Sequence, residues 1–285
     1  MKRLLPVACL LAALPAFAQQ PVPRTQTPAQ SAPLGAGIER PLPPRVEAAP
    51  TAAAEYDACL RKAANQPEAA YEDATGWART RGGGEPAQHC AAVALFNAGQ
   101  WRRAAEAFTD LAGRYRDRRA LLRASLVAQA GRAWLAADEP ARAVAALSAA
   151  IDIAPDSAIF WIDRAEARAA AGGYWEAIDD LNRALDLDPR RGEAYALRAA
   201  AYRRVEALDL AREDADRAVE LAPKFPEAWL ERGILKRLAN DAAGARRDWR
   251  EVLLLEPDGA AAEAARAQIE AMELDPSSPP PQRRR

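Results

Sequence analysis

The chain has 285 residues, with 39 Lys and Arg against 40 Asp and Glu; half of it is hydrophobic but only 6% is aromatic. A formal net charge of −1 excludes the strong basic bias of a protein held mainly by nucleic-acid phosphates. One His and three Cys leave little material for a His-based metal centre or a proton relay, so neither cofactor nor metal is expected.

In chain order, the first segment reads as an export signal. Lys2 and Arg3 precede an apolar run over residues 4–16, and Ala16-Phe17-Ala18 offers small residues where a signal peptidase cleaves, predicting Gln19 as the new N-terminus. The run is shorter than the roughly 20 residues a bilayer core needs, so no stable membrane span is expected after cleavage. The mature chain is expected to be periplasmic or secreted. Residues 19–50 carry Pro21, Pro23, Pro28, Pro33, Pro41, Pro43, Pro44 and Pro50 with few large apolar side chains. Such a stretch cannot bury enough surface to offset its ordering entropy, so a disordered linker is expected. The 51–275 body that follows holds 31 Lys and Arg against 38 Asp and Glu, a mildly acidic balance.

Residues 51–84 predict a capping pair of helices, 52–66 and 67–79, with Pro67 suited to a first helical turn. Gly82-Gly83-Gly84 has no preceding strand and no following Lys-Ser/Thr, so it reads as a turn and not as a phosphate cradle. Beyond it the chain repeats. Pro155, Pro189, Pro223 and Pro257 recur at a constant interval of 34 residues, each after a helical pattern with an acidic and aliphatic ending. Proline cannot continue a helix and restricts the residue before it, so each marks a stop between helix pairs. Aligned on these prolines, copies 124–157, 158–191, 192–225 and 226–257 share a small eighth residue, Gly131, Ala165, Ala199 or Gly233. They also share an alanine at position twenty (Ala143, Ala177, Ala211, Ala245), followed at position twenty-four by Leu147, Leu181, Ala215 or Trp249. Small residues facing bulky ones let antiparallel helices nest closely. Turns are predicted at Asp138-Glu139-Pro140, Gly172-Gly173, Glu206-Ala207 and Asn240-Asp241.

A divergent copy at 85–118 keeps Ala92, Leu95, Gly99, Trp101, Ala104 and Phe108 but lacks the closing proline, with an insertion between residues 113 and 119. Arg114, Arg116, Arg118, Arg119 and Arg123 cluster there and read as a solvated turn. Residues 258–275 predict a C-terminal capping helix over 259–274, and 276–285 a disordered tail ending in Arg283, Arg284 and Arg285.

With Trp161, Ala165, Gly172, Tyr174, Ala177, Leu181, Ala184 and Pro189 in one copy, the sequence resembles tetratricopeptide repeat proteins of the exported type over 85–257. The resemblance implies an all-α fold, a right-handed α-α solenoid of tetratricopeptide-like helix pairs. Arg168 and Lys236 depart from it, standing where that family has a large apolar side chain; they are expected to lean outward and bury only their stems. The family's geometry implies that positions five, nine and twelve of each copy face a concave groove. Here these are His89, Val93 and Phe96; Ala128, Arg132 and Leu135; Ile162, Glu166 and Ala169; Ala196, Ala200 and Arg203; Leu230, Ile234 and Arg237. The Lys and Asn set with which some members clamp a terminal carboxylate is missing from these positions. A mostly apolar groove with a few arginines would suit an extended or helical segment with apolar anchors and an acidic group.

Signal removal leaves Cys59 and Cys90, which in an oxidising compartment are expected to pair across neighbouring helix pairs and stabilise by about 3 kcal/mol. His89 beside Cys90 lacks the further ligands of a zinc site and any nucleophile pattern, so it reads as structural. Asp186-Leu187-Asp188-Pro189 has Arg and Gly misplaced for a calcium loop and reads as a helix end. No catalytic residue is expected. The expected function is a non-enzymatic periplasmic scaffold that binds a protein or peptide segment along its concave face, with a role in envelope assembly and no nucleic-acid partner. The alternative is an accessory or small-ligand-binding subunit of an envelope enzyme complex.

Overall fold

A computed structural model describes residues 51–115 and 119–273. The expected leader, the 19–50 linker, the 276–285 tail, Arg116 and Arg118 lie outside the described residues. Among the described residues all regular structure is helical. The first pair is α1 (Ala52–Asn65) and α2 (Pro67–Thr80), and the second α3 (Gly84–Asn97) and α4 (Trp101–Gly113). Then come α5 (Ala120–Ala136) with α6 (Pro140–Ile153), and α7 (Ala158–Ala170) with α8 (Tyr174–Leu187). The last pairs are α9 (Gly192–Arg204) with α10 (Leu208–Leu221), and α11 (Pro226–Leu238) with α12 (Ala242–Leu255), closed by α13 (Ala260–Glu273). This is the all-α repeat fold the 34-residue interval predicts.

Each closing proline acts as expected. Helices α6, α8, α10 and α12 end two residues before Pro155, Pro189, Pro223 and Pro257. The residue between, Ala154, Asp188, Ala222 or Glu256, has left the helical region with ψ of 75°, 90°, 64° or 85°. The turn inside each pair is equally regular. Gly99, Asp138, Gly172, Glu206 and Asn240 all adopt positive φ, between 61° and 86°. That left-handed residue lets the N–H three places beyond the helix return to a carbonyl in its last turn, as in Gly173 N to Arg168 O at 2.9 Å and Ala207 N to Tyr202 O at 2.9 Å. Glu206, with neither the freedom of glycine nor the short amide of asparagine, holds this conformation against its own Cβ.

Packing follows the small-to-large rule read from the repeat. A Cβ on Gly131 would stand 2.6 Å from Leu147 Cγ, and one on Gly233 2.4 Å from Trp249 Nε1. The helices of these pairs therefore touch where one backbone is bare, and Trp249 lies fully buried against it. The core is a chain of such clusters, one after another along the array, each rich in alanine. The insertion after α4 is absorbed in part by α5, which begins four residues before its copy and runs for 17 residues where α7 has 13. Cys59 of α1 and Cys90 of α3 form a disulfide with Cα atoms 6.2 Å apart, binding the terminal pair to its neighbour.

Two outcomes test this account. Glu206→Gly should raise stability by about 0.5–1 kcal/mol in urea unfolding, because glycine takes the left-handed turn without a Cβ clash. Reduction, or Cys59→Ser, should lower stability by about 3 kcal/mol, with amide exchange in α1 and α2 accelerating first; intact mass with and without alkylation reports the bond itself.

Candidate functional site

The first helices of successive pairs approach one another, α5 with α7, α7 with α9, α9 with α11 and α11 with α13. Each second helix packs on the first helix of its own pair and of the next. The array therefore bends so that first helices form its inner wall. Of the residues the sequence assigns to this wall, Val93, Phe96, Arg132, Leu135, Glu166, Arg203, Leu230, Ile234 and Arg237 are half-buried. Ile162 corrects the assignment: it is 4% exposed, in the core cluster with Leu181, Leu185 and Ala194. Its side chain fills the seam between α7 and the next pair, where closing apolar surface outweighs facing the groove. Ala128 and Ala196 are buried for the same reason.

His89 is also on this side, but it is already satisfied. Tyr56 Oη lies 2.7 Å from His89 Nδ1, and Gln129 Oε1 lies 3.1 Å from Nε2. The three side chains link α1, α3 and α5, with the Phe108 ring tilted against the imidazole at 5.8 Å. Burial lowers the histidine's proton affinity, partly offset by Gln129.

Two of the wall's arginines are engaged by acids of the next first helix. Arg203 of α9 makes a two-pronged contact with Glu231 of α11, and Arg132 Nη1 of α5 stands 3.5 Å from Asp163 Oδ2 of α7. The unsatisfied groups are acids. Asp163 is 6% exposed, and its Oδ2 and the Glu227 Oε2 are buried with no hydrogen-bond partner among the described residues. Burial pushes the Asp163 carboxyl up to about 6, against the pull of Arg132. Burial and then the Asp163 charge push Glu166 up to about 8, against the pull of Arg132 and with a smaller push from Glu227. Glu227 is itself raised by burial and by Glu256.

Behind the wall lies a ladder that sequence reasoning overlooked. Arg164, Arg198 and Arg232, 34 residues apart, each clasp an aspartate 16 residues on with two hydrogen bonds of 2.7–3.0 Å: Asp180, Asp214 and Asp248. The same guanidinium reaches back 16 residues to the preceding second helix, to Ser148, Asn182 or Asp216, and lies over Trp161, Tyr195 or Trp229 at 4.8–5.3 Å. The recurring Trp/Tyr-x-x-Arg and the matching Asp were visible as a 34-residue signal. Arg168 and Lys236 do not lean outward as expected. Arg168 Nη1 sits 2.9 Å from Asp180 Oδ1 and Lys236 Nζ 2.8 Å from Asp248 Oδ2, because a buried carboxylate attracts a second cation more strongly than water does.

Asp180→Ala should therefore destabilise by about 3–5 kcal/mol, leaving two cations without their anion, while Arg164→Met with Asp180→Leu should recover most of the loss in urea unfolding. The raised acids set a pH dependence. A carboxyl whose folded pKa exceeds its unfolded value stabilises at low pH and loses that contribution as pH rises through the folded value. Stability should decline from about pH 4.5, the ordinary glutamate value, to about pH 8, where folded Glu166 ionises, and Glu166→Gln should flatten the decline in thermal melts. His89 acts in the opposite sense, its contribution being lost as pH drops under about 6.5.

No family model matches the sequence, and no curated protein matches it. Solved structures do. MamA from Desulfovibrio magneticus RS-1 (41-end) superposes with a TM-score of 0.50 at 19% identity, covering 62% of this chain and 97% of that one. YrrB, described as a TPR protein with an unusual peptide-binding site, gives 0.45 at 15% identity over 65% and 91%. The first TPR of Spaghetti (RPAP3), solved with an HSP90 peptide, gives 0.37 at 28% identity over 41% and 96%. The MamA superposition and the 34-residue helix pairs with left-handed turns agree on one architecture: this chain folds as a tetratricopeptide-repeat solenoid.

Proposed function

We propose that this chain is an exported, non-enzymatic scaffold that grips a segment of a partner protein along its inner wall, in the assembly of a bacterial-type envelope. The observation that carries the reading is the row of half-buried apolar side chains, Phe96, Leu135, Leu230 and Ile234, spaced along a wall that helix packing has already fixed. A preformed surface spares its ligand part of the ordering cost of binding, and anchors on successive first helices suit an extended or helical segment.

Two features support export: the Lys2-Arg3 leader ending at Ala16-Phe17-Ala18, and the Cys59–Cys90 bond, which persists in an oxidising compartment. Support for a binding role over catalysis comes from His89, whose two ring nitrogens are both engaged with neighbours.

Ala200 of α9 is half-buried on this wall, so Ala200→Trp should obstruct the groove without entering the core. Crosslinking from Ile234 in the envelope fraction should capture a specific protein with the wild-type chain, and about ten-fold less of it with Ala200→Trp at unchanged helix content. Equal capture by the two chains would move the interaction off the inner wall.

A further inference from the structure

We infer that two copies of this chain join through their outer faces, the acidic edge of α10 in one copy lying along the basic and apolar edge of α12 in the other. The inference is independent of what the inner wall binds. In each second helix, positions eighteen, twenty-two, twenty-five and twenty-nine of the copy share one face, opposite the buried alanine at position twenty. On α10 this face carries Asp209, Glu213, Asp216 and Glu220; on α12 it carries Ala243, Arg247, Arg250 and Leu254, and all eight are exposed. Position twenty-nine is acidic in the three preceding copies, Asp152, Asp186 and Glu220, as suits a solvated outer wall. Leu254 departs from that rule and stands 75% exposed.

The two edges are neighbours. Arg232 of α11 holds Asp248 of α12 at 2.8 and 3.0 Å and with the same guanidinium reaches Asp216 of α10 at 3.4 Å. As second members of consecutive pairs, α10 and α12 run in the same direction and in the same register, 34 residues apart. Their charges are open to a partner. Arg247, Arg250 and Glu213 make no ion pair among the described residues, and Asp216 remains 65% exposed beside Arg232. Asp209 and Glu220 are tied only to Arg212 and Arg217 of their own helix. Arg246 and Glu251 flank the α12 edge with opposite signs.

A surface with adjacent stripes of opposite sign is its own complement, which is the condition for a two-fold contact. A two-fold axis running along the helices sets α10 of one copy over α12 of the other, position on position. Glu213 then meets Arg247, Asp216 meets Arg250, and Leu254 is covered by the stems of the Arg217–Glu220 pair, each contact occurring twice. An axis running across the helices would set α10 on α10 and α12 on α12, like charge on like, so electrostatics selects the first arrangement. Two convex walls touch only near the axis. The contact is therefore small, at the weak and salt-sensitive end of protein interfaces. Both inner walls face away from it, so the dimer presents two grooves at once.

Sedimentation of the mature full-length chain should show a monomer–dimer equilibrium that moves toward monomer as salt rises from about 0.05 M to about 0.5 M. Glu213→Arg and Arg247→Glu alter exposed side chains that hold no partner within the fold, and each alone should weaken dimerisation by about ten-fold or more at unchanged helix content. Mixed in equal amounts, the two variants should dimerise as the wild type does, because each α10 again meets an α12 of opposite sign. A wild-type chain that stays monomeric in low salt up to about 1 mM overturns the inference. So does a dimer indifferent to both variants, or a mixture that restores nothing. Changing Arg283, Arg284 and Arg285 to Ala separates this contact from a tail reaching across to the acidic edge: unchanged dimerisation supports the proposal, and its loss overturns it.

Discussion

A guanidinium clasped by an aspartate from the neighbouring helix, recurring at the 34-residue interval of the repeat, governs how the last three helix pairs are put together. The interfaces are lined largely by alanine, and alanine buries little area, so apolar contact there supplies modest stabilisation and little direction. The forked pair supplies the direction. Each arginine fixes its own second helix through Asp and the preceding one through Ser148, Asn182 or Asp216, setting the angle within a pair and the step between pairs together. The curvature of the inner wall, and the spacing of whatever it presents, follow from that joint. Buried ion pairs are weak sources of net stability because both charges are desolvated; here the return is geometric definition in a core of small side chains.

The N-terminal half is joined by other means. The copies at 85–118 and 124–157 have Ala91 and Ala130 where the later ones have arginine, and Ala107 and Ala146 where they have aspartate. In their place stand larger apolar clusters containing Phe108, Leu111, Leu126 and Leu147, the Tyr56–His89–Gln129 chain across three first helices, and a covalent bond from α1 to α3. A terminal pair has a neighbour on one side alone, so it buries less and gains more from a crosslink. The same chain thus uses a polar ladder where repeats are regular and a disulfide where they are not.

Charge on the inner wall shows how far composition can mislead about a surface. Arginines predominate among the charged residues assigned to the groove, yet Arg132 and Arg203 are drawn to Asp163 and Glu231 of the next first helix. Asp163, Glu227 and Glu231 fall outside positions five, nine and twelve of their copies, so a positional rule passes over them. Glu166, at position nine, was visible from the start, but its proton affinity depends on burial first, then on Asp163 beside it, Arg132 one pair back and Glu227 two pairs on. Sites of this kind arise because a solenoid brings together residues about 60 positions apart on helices that bend toward each other.

Sequence by itself determined the helix pairs and their order. The closing prolines, the alanine at position twenty and the Gly131 and Gly233 contacts act within a few residues or across one turn, so local backbone rules and repeat spacing suffice to read them. The Cys59 to Cys90 pairing was equally legible, since neighbouring units of a stack touch at matching positions. Tertiary structure alone decided that Ile162 closes a seam, that Arg168 and Lys236 turn inward to an aspartate, and that Arg132 and Arg203 of the wall are paired with the next first helix. Those outcomes depend on which charges lie within a few ångströms after bending, and Coulomb interaction in a partly dry interior is decided by that distance and not by the residue list.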